Sequence, residues 1–450
     1  MRLLYIDKEQ EGGAALTIIP SITLGMEHAE QNGLDSQKLV QAFQCIDRAI
    51  EEGTIPGGAA VVGGRGGWMV SYAAGSAAVS GEPALPVHPE TTVYDCASLT
   101  KVVVTLPLVL QLVEQGRLGL NDAVASYLPE YATEGKAAVT VRQLLTHTAG
   151  LKPYVNLHAH GWPREEVLAQ ALAQPLAHAP GTQVVYSDLG YIALGRLAER
   201  LHGLPLAEAA RRHVLEPLGM AASGYNPLSA TNVAPTEWDP AAQAFRHGAV
   251  HDENAAAMGG VSGHAGLFAT ASDIARYAAM WLHEGALPPA LAVAAPAPAP
   301  IVSSAAPPPG QALGSNALPS AMAVAAPAPA PTVSPSAPAA SSPVSTAQPA
   351  RILAPATVRA AIRSHTGALT PGHRGLGWVL QGDPFDASGD LLSPESYGHT
   401  GFTGTSLYVD PNYGLFIVIL TNRVHYGREK SVGPLRARLH SAVAGSIARL

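Results

Sequence analysis

Positions 37–52 carry Leu39, Val40, Phe43, Ile46 and Ile50 at helical spacing, which predicts an amphipathic helix with one face on a core. Stretches 57–64 and 67–73, joined by a glycine-rich turn, then read as a pair of strands. Stretch 93–97 leads into a segment of different character. From Val102 to Val113 nearly every position is apolar, so a helix there would be apolar on all sides and therefore buried. From there to about residue 285 the patterns are mostly helical, joined by loops. Near the end, 376–380, 405–409 and 415–420 read as strands, with Asp410-Pro411-Asn412-Tyr413-Gly414 as a hairpin turn between the last two. A terminal helix is predicted over 432–450.

The buried helix opens on Ser98-Leu99-Thr100-Lys101, and Lys101 is the only one of the six lysines with a serine three residues before it. Residues three apart share a helix face, so the amine can reach the hydroxyl. A serine hydroxyl attacks a carbonyl only when a nearby base takes its proton, and a buried lysine is costly unless partnered or neutral. The bland alternative is a helix-start serine cap with a snorkelling lysine. The hydrolytic reading further requires a Lys101 pKa pulled well below its ordinary value if the lysine is the base.

One stretch breaks the pattern. Residues 286–350 are dominated by Ala, Pro and Ser, and 292–300 recurs as 323–331. Such a tract lacks the large apolar side chains needed to offset its ordering entropy, and it is expected to be a disordered insertion in a surface loop. The expected organisation is an N-terminal extension over 1–36, a hydrolase domain over 37–285 and 351–450, and the insertion over 286–350.

Two further segments join the Ser-x-x-Lys: 180–191, containing Tyr186-Ser187-Asp188, and 397–405, containing His399-Thr400-Gly401-Phe402. In this order they resemble the three active-site elements of the serine β-lactamase and penicillin-recognising family, on its class C β-lactamase and D,D-peptidase branch. Segments 144–151 and 259–268 match as well. The resemblance implies an α+β fold, an antiparallel sheet flanked by helices beside an all-α region, with the active site between them. It implies an acyl-enzyme on Ser98, with Lys101 and Tyr186 as proton carriers. A phenol beside an ammonium is easier to ionise, so the two titrations would be coupled.

Asp188 stands where most relatives have asparagine, and an ionised carboxylate only accepts hydrogen bonds. This favours substrates presenting an N–H or a positive charge, unless Asp188 serves as a helix cap. His399 stands where lysine is common, which suggests a weaker, pH-dependent anchor and disfavours substrates that need a carboxylate held. Thr400, Gly401 and Phe402 would line the cleft, Gly401 admitting substrate close to the strand backbone. By resemblance, the Ser98 and Phe402 amides would form an oxyanion hole. His264, on a glycine-flanked loop, is expected either to face substrate or to be structural. His147 is expected to fix the turn after its helix, and 251–254 (His-Asp-Glu-Asn) to be a loop determinant rather than a metal cluster.

Segments 233–238, 250–254 and 260–270 narrow the resemblance to a subgroup with penicillin-binding-protein-4B-like enzymes and N-acetylmuramyl-L-alanine amidases. That implies an amide or ester hydrolase acting on a cell-wall-derived muropeptide. The alternatives are a carboxylesterase of small esters, a β-lactamase or D,D-peptidase, and a catalytically silent binding protein. The family implies no metal or other cofactor. A net charge of −7 gives no basic surface for nucleic acid, and no stretch has the apolar length of a membrane span. Two cysteines, Cys45 and Cys96, indicate no disulfide framework. The interrupted apolar stretches before residue 20 do not form a secretion signal, so the expected compartment is the cytoplasm.

Overall fold

The computed structural model describes residues 21–22, 26–78, 85–227, 229–291, 350–367, 369 and 372–449. Seven strands form the main sheet: β1 Ser21–Ile22, β2 Gly57–Gly64, β3 Met69–Gly75, β4 Val379–Leu380, β5 Tyr397–Thr400, β6 Ser406–Asp410 and β7 Leu415–Thr421. Their spatial order is β1-β3-β2-β7-β6-β5-β4, antiparallel throughout. Strands from the two ends of the chain therefore meet at its centre, where Val61 pairs with Val418.

Period-two alternation divides the strand side chains between two cores. Ala60, Val62, Tyr72, Ile417 and Ile419 pack with α1 (Ser36–Glu51) and the terminal helix Gly433–Ala444. Ala59, Val61, Ala73, Val418 and Leu420 point the other way, into a larger core shared with helices Leu106–Glu114, Asp188–His202 and Ala271–Leu282. These three are α2, α3 and α4 below. The first helix starts where Asp35 accepts hydrogen bonds from the amides of Gln37 and Lys38 at 3.0 and 3.1 Å. The hairpin between β6 and β7 closes because Asp410 Oδ1 accepts from the amides of Asn412 and Tyr413 at 3.0 and 2.9 Å.

The expected architecture, a helix-flanked antiparallel sheet beside a helical region, is the one observed, with local corrections. The strand expected over 376–380 contains only Val379–Leu380, because Gly377 has a φ of +78° and Gly375 N turns back to Trp378 O at 3.0 Å. The terminal helix ends at Ala444, after which Ala448 N donates to Gly33 O at 2.7 Å. The helical middle also holds a small sheet in which Leu267–Ala269 pairs with Tyr94–Asp95 and Gly224–Tyr225. Elements of two or three residues are too short to show a period.

The bulk of the Ala/Pro tract, 292–349, and residues 1–20 lie outside the described residues. On either side of the tract the chain is held together. Ala286 bridges antiparallel to Arg351, and Leu287 N donates to Ala350 O at 2.9 Å. No helix among the described residues is long and apolar enough to cross a membrane.

Candidate active site

Ser98 lies in the turn that follows Tyr94–Asp95, and after Leu99 and Thr100 the five residues Lys101–Thr105 form a π-helical turn before α2. Ala97, immediately before the serine, has a φ of +46°, a left-handed conformation costly for a residue with a Cβ. Buried hydrogen bonds hold it there. Asp95 Oδ1 accepts from Ala97 N at 2.8 Å, and Thr100 Oγ1 donates to Ala97 O at 2.7 Å.

The Lys101 side chain is fully buried, and its ammonium donates to Ser98 Oγ at 2.9 Å and to the His264 carbonyl at 3.0 Å. It also pairs with Asp188 Oδ1 at 2.7 Å and sits 5.1 Å from the centre of the Tyr186 ring. Burial by itself would lower the Lys101 pKa, but the Asp188 carboxylate, followed by Tyr186, outweighs it and leaves the ammonium raised above the ordinary lysine range. A lysine acting as the base would need a depressed pKa, and here the Asp188 carboxylate works the other way by stabilising the cation. The same pair bears on Asp188, whose helix-cap reading the structure corrects. Ser187 is the N-cap of α3, and Asp188, on the first turn, spends its charge on Lys101 instead of facing substrate alone.

Tyr186 is set by the turn around His147, which has a φ of +58°. His147 Nδ1 accepts from Ser187 N at 3.1 Å, its carbonyl accepts from Val185 N at 2.8 Å, and its ring lies 4.4 Å from that of Tyr186. Burial, then Arg374 and Lys101, push the His147 pKa well down. Arg374 is itself buried, ion-paired to Asp383 at 2.8 Å, with its guanidinium 5.8 Å from the Tyr186 ring centre. Nothing in the sequence around Arg374 marks it out.

His399 is not the expected anchor. It is 2% exposed, its Nδ1 lies 2.9 Å from the Thr400 carbonyl, and its Nε2 has no hydrogen-bond partner among the described residues. Burial, then the charges of Lys101 and Arg374, push its pKa down to about 3, so the ring is neutral at physiological pH. His264 does not face the cleft either. It is 1% exposed, with Nδ1 2.7 Å from Ser262 Oγ and Nε2 2.9 Å from Asp252 Oδ1, and only its carbonyl reaches Lys101.

Thr400 ends β5, paired with Ser406, and Gly401 begins the turn to β6. A Cβ on Gly401 would lie 2.1 Å from Thr405 Oγ1 and 2.5 Å from Cys96 O, so this glycine is required by the packing of the turn on the nucleophile loop. That contact, with Thr403 Oγ1 donating to Asp95 O at 2.7 Å and Thr405 Oγ1 to Cys96 O at 3.0 Å, sets the turn beside Ser98. Among the described residues the Ser98 and Phe402 amides make no internal hydrogen bond, so both are free to face an oxyanion. The Phe402 ring is half-exposed, stacked on His251 with Arg423 4.6 Å from its centre. Phe385, also exposed, touches Tyr186 from the other side.

Asp188, Asp252 and His264 bring one possible metal-ligand atom each within 4.8 Å of one another. The Lys101 ammonium already supplies a cation at 2.7 Å from Asp188, which disfavours a second one there.

A serine hydroxyl held on a buried ammonium, with a tyrosine ring 5.1 Å from that ammonium, is the arrangement of a serine hydrolase centre. The family profile described as "Beta-lactamase" matches residues 42–442, and the chain belongs to that family as a serine hydrolase. A relative from Bacillus subtilis strain 168 named N-acetylmuramyl-L-alanine amidase is 28% identical, spanning 88% of this chain and 84% of its own length. A relative from Escherichia coli O157:H7, provisionally named D-alanyl-D-alanine carboxypeptidase, is also 28% identical, over 76% of this chain and 72% of its own. A penicillin-binding protein homologue from Caulobacter crescentus shares the fold, with a TM-score of 0.64 at 22% identity over 95% of this chain and all of the other.

Proposed function

We propose that Ser98 is the nucleophile of an amide or ester hydrolase and that its substrate is a cell-wall-derived muropeptide fragment. The observation that carries the catalytic reading is the 2.9 Å contact from Lys101 Nζ to Ser98 Oγ, with the ammonium locked by Asp188. An ammonium held in this state donates to the hydroxyl and cannot take its proton. Tyr186 is then the group that receives the Ser98 proton and returns it to the leaving amine or alcohol. The carbonyl oxygen gathers negative charge facing the Ser98 and Phe402 amides, and water releases the acyl group from Ser98 in a second step.

The muropeptide reading is supported by the relative named N-acetylmuramyl-L-alanine amidase. Neutral His399 supplies no positive anchor of the kind a substrate carboxylate needs, which favours bonds flanked by neutral groups over penicillins. The test is a substrate panel of N-acetylmuramyl-L-alanine peptides, p-nitrophenyl esters and benzylpenicillin. The expected result is turnover of the muramyl amide above the esters, with benzylpenicillin slowest. Efficient penicillin turnover with an inert muramyl amide would refute the substrate assignment and leave Ser98 untouched.

A further inference from the structure

Segment 250–254, expected only to shape a loop, touches three parts of the site at once. His251 N donates to Asp95 Oδ2 at 2.6 Å, and the other oxygen of that carboxylate holds Ala97 N, one residue before Ser98. Asn254 Oδ1 accepts from Leu157 N and His158 N at 3.1 and 3.0 Å, while its Nδ2 donates to Val155 O at 2.8 Å. That ties down the loop carrying the half-exposed Tyr154. Between them, Asp252 Oδ1 accepts from Ala255 N at 2.8 Å and lies 2.9 Å from His264 Nε2.

From these contacts we infer that Asp252 and His264 are positioning residues for the Ser98–Lys101 pair, an inference that rests on the reading of Ser98 as nucleophile. A lysine ammonium has three protons, and Ser98 Oγ, Asp188 Oδ1 and the His264 carbonyl all stand within 3.0 Å of it, with Tyr186 also beside it. The direction of the bond to Ser98 is therefore set by where the other two acceptors stand. Asp188 is fixed on the first turn of α3. The His264 carbonyl lies on a loop whose neighbouring carbonyls are held, Gly263 O by Thr105 Oγ1 at 2.6 Å and Ser262 O by Tyr225 Oη at 3.0 Å, while the His264 peptide itself makes no backbone–backbone hydrogen bond among the described residues. The imidazole adds a restraint at that residue: it is buried and pinned at both nitrogens, by Ser262 on one side and Asp252 on the other. Asp252 is in turn fixed as the N-cap of the helix Glu253–Ala257. Neither side chain hydrogen-bonds the serine hydroxyl among the described residues, so the effect passes through the His264 carbonyl and through the field of the Asp252 carboxylate at Lys101.

The experiment uses a fluorophosphonate probe, with intact-mass and peptide mapping to locate the label and its rate measured against probe concentration. Wild type is expected to be labelled at Ser98. His264→Ala and Asp252→Ala are expected to lose at least about 10-fold in the limiting labelling rate, with the half-saturating probe concentration within about two-fold. Asp252→Asn keeps an acceptor for both His264 and Ala255 and is expected to recover most of the rate lost in Asp252→Ala. A merely structural role would move the melting temperature and the two constants together and would show no such rescue. If Asp252→Ala does not fold, His264→Ala and Ser262→Ala, which loosen the same ring from the other side, carry the test. Labelling of the folded variants at the wild-type rate would overturn the inference. Wild type unlabelled at Ser98 would instead overturn the nucleophile reading.

Discussion

The two walls of the cleft are built on opposite principles. On the lysine wall, formed by the π-helical turn, the start of α3 and the 262–264 loop, each ammonium contact is a charged or polar acceptor within 3.0 Å. On the strand wall, polar atoms are buried without hydrogen-bond partners among the described residues: His399 Nε2 and Arg374 Nη1. One wall fixes a charge by pairing it, and the other removes charge from its histidine by burial beside cations. The lysine wall therefore sets the chemistry, while the strand wall offers substrate a neutral edge. Breaking a pair on the first should change rate and its pH dependence, whereas changes on the second should act on acid stability.

The largest effects belong to the lysine wall. Lys101→Met and Tyr186→Phe should each reduce the Ser98 labelling rate by at least about 100-fold, with the double variant losing far less than the product of the two single losses. A simple product would show that the two do not act as a unit. Asp188→Asn comes next. Removing the carboxylate leaves burial as the dominant influence on Lys101, so its pKa should fall. The variant should then lose rate as pH rises towards 10, while wild type stays flat through pH 9. A variant with a wild-type alkaline profile would mean that Asp188 does not hold the ammonium.

The strand wall predicts a stability effect of defined sign. His399 has a folded pKa of about 3 against an ordinary 6.5, so between these values the unfolded chain binds a proton that the folded protein refuses. Stability is therefore intact above pH 6.5 and falls as pH drops through this window, on the order of 2 kcal/mol by pH 5 from this group. Buried His440, pushed down to about 4, acts in the same direction. Urea midpoints at pH 7 and pH 5 should show the drop, and His399→Gln should shrink it. An unchanged slope in that variant would show that His399 is not refused its proton.

The smallest effect is expected outside both walls. Because Ala286 and Arg351 are bridged, replacing 292–349 by a short Gly/Ser loop should leave the labelling rate within about two-fold and unfolding cooperative. A large loss in either would show that the tract contributes to the site.

Most of the frame was legible in the sequence because it rests on long periodic signals. The helix over 37–52 and the strands over 57–64 and 415–420 fall within a residue or two of their observed limits. Ser98 and Lys101 were legible because their spacing is itself the geometry, and the hydrogen bond between them follows from one helical turn. What the sequence concealed was the state of each charged group, which depends on partners far away along the chain. Asp188 could not be read as the partner of Lys101, 87 positions earlier, nor His399 as a neutral ring among three cations. His264 misled for a related reason. A histidine between glycines looks free to aim at substrate, but Ser262 and Asp252 occupy both of its nitrogens.

The central claim, that Ser98 on the Lys101 ammonium is the acylated residue, is tested most directly by intact-mass analysis after fluorophosphonate treatment of wild type and Ser98→Ala. The account predicts a single adduct on wild type, mapped to the peptide containing Ser98, and none on the folded Ser98→Ala protein. An adduct of equal yield on Ser98→Ala, or one mapping to another serine in wild type, would contradict it.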